Sequence, residues 1–196
     1  LNPHGRRSTS AGIASSAPHE VRLIGGQWKR SKLPVAGRPG LRPTPSRVRE
    51  TLFNWLGQDL SGWRCVDAFA GSGALGFEAA SRGAFRVLMV ERNPQLARSL
   101  EETKRRLGAT AIEVRCADGI EILRRLDTGS VDIVFLDPPY GSGLLEAALG
   151  AAWHVVTPGG YVYAEDSTAL QATKYWTVLR HGQAGAVRYQ LLQRVE

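Results

Sequence analysis

The spacing of apolar residues changes along this chain, and the changes mark its elements. From Val21 to Val35 two short strand-like pieces flank Gly25, Gly26 and a basic run, the pattern of an arm or hairpin. Leu41 to Thr44 then leads into a helix. Thr44 suits its N-cap, Pro45 its first position, Leu52, Phe53, Trp55 and Leu56 its apolar face, and Gly57 its stop. Beyond residue 63 apolar runs alternate regularly with helical periods. Strands are predicted at 64–69, Phe85–Glu91, Ala111–Cys116, Val131–Asp137 and Tyr161–Glu165, the last entered through a Pro158-Gly159-Gly160 turn. Helices are predicted from about 74 to Gly83, from the Asn93-Pro94 cap to Leu107 with Gly108 after it, from Asp118 to Leu126, and across Leu144–Trp153. Continuous apolar strands alternating with helices imply a parallel sheet covered on both faces. The tail breaks the pattern. Tyr175–Leu179 and Val187–Val195 are separated by a Gly-rich turn too short for a crossover helix, so they must pair antiparallel. A parallel α/β sheet closed by such a hairpin follows the seven-stranded methyltransferase plan more than that of a dinucleotide dehydrogenase.

A length of 196 residues suffices for one α/β domain with an accessory segment. We divide it into a disordered tail (1–20), a basic N-terminal arm with its helix (21–57) and the main domain (58–196). Apolar stretches are strand-sized, which argues against a membrane span. The opening residues lack the apolar core of a signal peptide, so a cytoplasmic setting is expected. Cys65 and Cys116 lie far apart and form no CxxC pair, and no disulfide framework or metal site is implied. The net charge of +7 becomes informative once located. Residues 1–50 hold ten of the 25 Lys and Arg against two of the 18 acidic residues, so the surplus belongs to the N-terminal quarter. A polyanion docking there is the natural reading.

The first strand end reads Val66-Asp67-Ala68-Phe69-Ala70-Gly71-Ser72-Gly73-Ala74-Leu75-Gly76. Gly71, Gly73 and Gly76 spell GxGxxG with Glu91 about twenty residues on, which also matches the NAD fingerprint. Asp67 argues against NAD, because a carboxylate at the strand end is poorly placed beside a pyrophosphate. It suits a ligand with an ammonium group and no phosphate, such as S-adenosyl-L-methionine. The loop Phe69, Ala70, Gly71, Ser72 and Gly73 would then approach the cofactor. Glu91 would accept the ribose hydroxyls, with Arg92 and Asn93 flanking the adenine and Asp118 and Gly119 at its amino group. Each acidic residue alone could equally be a helix cap. Together they form an ordered set at successive strand ends.

The fourth strand ends in Asp137-Pro138-Pro139-Tyr140, the most specific signal in the chain. Two prolines fix φ and remove two N–H donors, leaving carbonyl oxygens outward in a rigid turn. An exocyclic amino group is a weak nucleophile because its lone pair is delocalised into the base. The Asp137 carboxylate and Pro138 carbonyl can orient its N–H bonds and draw it toward tetrahedral geometry. Tyr140 offers a ring on which an unpaired base stacks, worth roughly 1–3 kcal/mol. The released proton goes to Asp137 or to water. Other candidates are weaker. His4, His19, His154 and His181 assemble into no triad, Glu165-Asp166 could line a substrate cleft or cap a helix, and Trp28 among Lys29, Arg30 and Lys32 is a possible stacking group.

With these motifs the chain resembles the RsmD family of bacterial 16S ribosomal RNA guanine-N2 methyltransferases. The resemblance runs from Arg22 onward. It rests on Arg22-Leu23-Ile24-Gly25-Gly26, on the stretch from Leu41-Arg42-Pro43-Thr44 to Asn54-Trp55-Leu56, on the Asp67–Gly76 loop and on Asp137-Pro138-Pro139-Tyr140. It implies a class I (Rossmann-like) methyltransferase fold, S-adenosyl-L-methionine as cofactor, and a partner that is the 30S subunit or its assembly intermediate, with the enzyme acting as a monomer. It implies cofactor contacts at Asp67, Gly71, Gly73, Glu91 and Asp118, and a reaction centre at Asp137, Pro138 and Tyr140. The basic arm (Arg22, Lys29, Arg30, Lys32) would grip RNA, and Arg42, Thr44, Arg47 and Arg49 would face substrate or cofactor. Pro45-Ser46 departs from the Thr-Asp more usual in the family, and Tyr140 replaces a common Phe. The alternatives are an amino-methyltransferase acting on DNA or a protein glutamine, and a non-catalytic assembly factor that keeps the fold.

Overall fold

The computed structural model describes residues 20–35 and 44–195. The expected tail before Glu20 and the site candidate Arg42 fall outside them. Glu20–Arg22 (β1) and Lys32–Pro34 (β2) pair antiparallel as a separate hairpin, and α1 follows at Ser46–Trp55. The main domain then runs β3 (Arg64–Asp67), α2 (Ala74–Ser81), β4 (Arg86–Val90), α3 (Pro94–Leu107), β5 (Ile112–Arg115), α4 (Gly119–Arg125), β6 (Val131–Leu136), α5 (Leu145–Val155), β7 (Val156–Asp166), β8 (Trp176–Ala184) and β9 (Val187–Arg194).

Seven strands form one sheet in the order β5-β4-β3-β6-β7-β9-β8. β3 to β7 are parallel, and β9 enters antiparallel between β7 and the edge strand β8. This is the class I methyltransferase arrangement that the alternation and terminal hairpin imply. The chain leaves β3 in one direction for β4 and β5, then returns to the other side for β6 and β7. The strand order therefore switches between β3 and β6, where open α/β sheets bind ligands.

The two faces follow from period-2 side chains. Ile133 and Phe135 of β6 face a core shared with Leu75, Phe77, Met89 and Tyr163. Val134 and Leu136 face a second core with Val90, Leu123, Ala148 and Val162. The arm belongs to the first core, because Val21, Leu23, Leu33 and Val35 are buried there with Leu52 and Phe53 of α1.

Two expected turns differ. β7 begins directly after α5, and Pro158-Gly159-Gly160 is a bulge: Val131 pairs with Val156, whereas Ile133 already pairs with Tyr161. The terminal hairpin is longer than predicted. Gly182 lies within β8, its bare Cα facing the Tyr189 ring, and only Gly185 (φ 62°) and Ala186 make the turn. Among the described residues no helix is long and apolar enough to cross a membrane.

Candidate active site

At the end of β3 the Asp67 carboxyl is 2% exposed, and its Oδ2 accepts a hydrogen bond from Gly76 N (3.0 Å) in the first turn of α2. The place a phosphate would take at that helix start is filled by the carboxyl itself, which answers the NAD alternative on geometry. Burial pushes the Asp67 carboxyl up to about 7; the Gly76 and Phe69 N–H groups pull it down, while nearby Glu91 adds to the rise. The intervening loop turns through Gly71 (φ 51°) and Gly73 (φ 78°). A Cβ on Gly73 would come within 2.7 Å of Phe77, Leu100 and Met89, so only glycine lets the loop lie this close to α3.

Glu91, just past β4, ties the cradle together. Its Oε2 accepts from Gly71 N (2.9 Å) and its Oε1 from Asn93 N (2.7 Å). Each oxygen keeps a lone pair for a ribose hydroxyl. Asn93 is committed as the cap of α3, its Oδ1 accepting from Gln95 N and Leu96 N, while Arg92 is exposed. Asp118 is indeed a helix cap: its Oδ1 takes the N–H groups of Ile120 (2.9 Å) and Glu121 (3.1 Å), and the residue is exposed. A Cβ on Gly119 would collide with the Ala68 carbonyl oxygen. That contact brings Asp118 beside the Ala68–Phe69 backbone and closes the cradle.

Asp137 follows β6, the strand adjacent to β3. Its register places it beside Glu165 at the end of β7, since Phe135 pairs with Tyr163. Thr44 Oγ1 lies 2.8 Å from Glu165 Oε1 and 3.3 Å from Asp137 Oδ2, and the Tyr163 hydroxyl donates to Glu165 Oε1 at 2.9 Å. Burial, then the Glu165 and Asp67 charges, hold the Asp137 carboxyl well above the usual range, with the Thr44 hydrogen bond opposing. Burial raises Glu165 as well, against the hydrogen bonds from Thr44 and Tyr163. Tyr140 is 73% exposed and open to a stacking partner.

Not every expected residue is where its role requires. Thr44 does not cap α1; Pro45 (φ −55°, ψ 147°) is the cap residue and no side chain caps the helix. Two carboxyls, buried Glu165 and half-buried Asp137, meet the threonine hydroxyl instead, so it belongs to the reaction end. Arg49 is not an RNA contact. It is 1% exposed and pairs with Glu78 (3.3 Å), while also donating to the carbonyls of Arg22 (3.0 Å) and Thr44 (3.3 Å). Trp28 is half-buried against the core and is not a free stacking ring. Arg22, Lys29, Arg30, Lys32 and Arg47 are exposed, Lys32 in an ion pair with Glu20 (2.8 Å).

Sequence reasoning missed Tyr163 and Glu78. Tyr163 was findable, because it lies two residues before Glu165 on one strand and so on the same face. Glu78 was not. Wholly buried, it accepts from Ile24 N, Gly25 N, Arg49 and Arg82, and so fastens the arm and α1 to α2. Only its i, i+4 spacing from Arg82 shows in the sequence.

Residues 21–193 match the family described as conserved hypothetical protein 95. The ribosomal RNA small subunit methyltransferase D of Escherichia coli K12 is 40% identical over 184 residues, spanning 91% of this chain and 92% of that protein. The methyltransferase D of Haemophilus influenzae is 38% identical over 185 residues, 91% and 96% of the two chains. A solved structure of an Escherichia coli methyltransferase candidate superposes with a TM-score of 0.80 at 38% identity, covering 90% of this chain and 99% of that one. A Haemophilus influenzae methylase candidate does so with a TM-score of 0.77 at 35% identity, covering 91% and 100%.

Proposed function

This chain belongs to the conserved hypothetical protein 95 family, and from that premise we propose that it methylates the exocyclic N2 amino group of a guanine in 16S ribosomal RNA, using S-adenosyl-L-methionine. The observation that supports this most is the convergence of Asp67 and Asp137-Pro138-Pro139-Tyr140 on the switch between β3 and β6.

The cradle suits the cofactor chemically. The bare Cα atoms of Gly73 and Gly119 let the loop pack on Phe77, Met89 and Leu100 and let α4 start against the Ala68 carbonyl, which draws the three strand ends together around one cleft. Asp67 is buried with no ion pair among the described residues, which suits it to the ammonium group of the cofactor's amino-acid end. Asp67 and the Gly71–Gly73 loop would hold the amino-acid end, Glu91 the ribose and Asp118 the adenine amino group. When bound, the cofactor supplies a methyl group on a sulfonium and leaves as a neutral thioether.

The protein does the aligning. Asp137 and the Pro138 carbonyl accept the two N–H bonds of the guanine amino group, and Tyr140 stacks the base. Pro139 keeps the turn rigid and offers no competing N–H. Placement and fixed dipoles of this kind account for most of a methyl transfer, which needs no metal or covalent intermediate. Lys29, Arg30, Arg22, Lys32 and Arg47 supply phosphate contacts. The partner is the 30S subunit or an assembly intermediate in the cytoplasm, met by a monomer.

Labelled cofactor offered with 30S particles lacking the modification, naked ribosomal RNA and duplex DNA tests this reading. Label in N2-methylguanosine on the particle supports it. Label confined to DNA or protein overturns the substrate, and no transfer despite cofactor binding favours an assembly factor.

A further inference from the structure

Thr44 Oγ1 lies between the carboxyls of buried Glu165 and half-buried Asp137, but a hydroxyl has one proton to donate. The 2.8 Å separation from Glu165 Oε1 against 3.3 Å from Asp137 Oδ2 assigns that proton to Glu165. Glu165 Oε1 receives a second donor, the Tyr163 hydroxyl at 2.9 Å, so two hydrogen bonds favour its ionised form. Thr44 can then meet Asp137 only as an acceptor. The network is complete and directional if Asp137 carries the proton: Asp137 Oδ2–H to Thr44, Thr44 O–H to Glu165, and Tyr163 O–H to Glu165. The opposed pair cannot easily ionise twice, and burial raises both carboxyls.

We propose that Thr44 and Glu165 are positioning residues that act through Asp137, with Glu165 the site where the proton released by the methylated amino group comes to rest. This rests on the methyltransferase reading above. The nitrogen lone pair forms the N–CH3 bond as the S–CH3 bonding pair returns to sulfur, leaving nitrogen cationic. One N–H proton passes to Asp137 Oδ1 while the proton on Oδ2 moves to Thr44 Oγ1, and the original Thr44 proton moves to Glu165 Oε1. Asp137 stays neutral overall, Thr44 is regenerated, and the carboxyl pair goes from one negative charge to none. Glu165 later returns the proton to solvent. The arrangement explains why Thr44 leaves the helix cap its sequence position suggests, and why Tyr163, two residues before Glu165, aims its hydroxyl at the same oxygen. The other groups around the network are Asp67 from β3, which acts on Asp137, Tyr189 from β9, which acts on Tyr163, and Arg49 of α1, which donates to the Thr44 carbonyl.

The test compares wild type, Glu165→Gln, Thr44→Val and Thr44→Ser. Carbon-13 NMR of the free protein's side-chain carboxyls should show Asp137 titrating well above an ordinary aspartate in wild type. In Glu165→Gln it should move down by at least one pH unit, since the opposing charge is gone. In single-turnover methyl transfer to 30S particles, Glu165→Gln and Thr44→Val should each lose about 10- to 100-fold. The alkaline limb of the pH profile, set by loss of the Asp137 proton, should shift down in Glu165→Gln together with the NMR midpoint. Thr44→Ser should recover most of the rate, and cofactor affinity by equilibrium titration should stay within threefold throughout. An Asp137 midpoint unmoved in Glu165→Gln, a full rate in that variant, or a Thr44→Ser as slow as Thr44→Val would each overturn the proposal. Wild type failing to methylate would instead defeat the parent reading, while the NMR titration would still judge the proton arrangement.

Discussion

Asp67 is held in a state the free protein would rather avoid, so Asp67→Asn should make the protein more stable and worse at binding its cofactor. The carboxyl rises from an ordinary 3.8 to about 7 on folding, chiefly through burial. A rise of roughly three pH units corresponds to about 4 kcal/mol between the protonated and ionised forms. The sign follows from linkage. Below pH 4 the group is protonated both folded and unfolded and costs nothing. As pH rises toward 7 the unfolded chain releases its proton while the folded one retains it, so stability falls, and above that range the loss is complete. An asparagine has nearly the same shape and can still accept from Gly76 N through its amide oxygen. Its advantage should be near zero at pH 4 and largest at pH 8. Relaxation and water entry reduce such figures. At about half strength, ~2 kcal/mol, the melting temperature at pH 8 would rise about 4–8 °C. Loss of a charge-assisted hydrogen bond to the ammonium should weaken cofactor binding about 10- to 100-fold. Thermal melts from pH 4 to 8, with calorimetric cofactor titrations at pH 8, measure both. A variant less stable than wild type at pH 8, or a difference independent of pH, would refute the assignment of an unfavourably buried carboxyl.

Other consequences are as direct. Glu78→Gln removes the charge between Arg49 and Arg82, and urea denaturation should show a loss of about 3–5 kcal/mol, with the amides of Ile24 and Gly25 losing protection from hydrogen exchange. Asp137→Ala should lower single-turnover methyl transfer at least 100-fold and leave cofactor affinity within threefold; a fully active variant would remove Asp137 from the reaction centre. Lys29→Ala with Arg30→Ala changes two exposed cations. It should weaken RNA binding, lower the slope of log affinity against log salt by roughly 1.5, and leave cofactor affinity alone.

Much of the fold was legible because it rests on periodic patterns. The burial of β6 on both faces is written in its unbroken apolar run, and the caps of α3 and α4 are written in Asn93-Pro94 and Asp118. The boundaries that shifted were those where tertiary pairing outweighs local preference. Pro158-Gly159-Gly160 reads as a turn alone and becomes a bulge because β6 holds both of its ends. Gly182 reads as a turn residue and becomes part of β8 because the Tyr189 ring needs the space.

The same division runs through the site. Asp67, Glu91, Asp118 and Asp137 are readable from sequence because each ends a strand, and in a parallel sheet every strand end points to the same edge. Local order alone placed these four residues on one rim. Thr44, Arg49 and Glu78 are different, because their roles depend on partners far away in the chain. Thr44 meets Glu165 across 121 residues and Arg49 meets Glu78 across 29. A threonine before a proline and an arginine in a basic run carry no mark of burial. What decides their roles is the low-dielectric interior, where an unpaired charge or hydroxyl is costly and each must find the partner that packing brings within reach. Strand-end chemistry was therefore determined by sequence, and the proton network and the arm's anchor by tertiary structure, since hydrogen bonds between buried groups exist only once the core has closed.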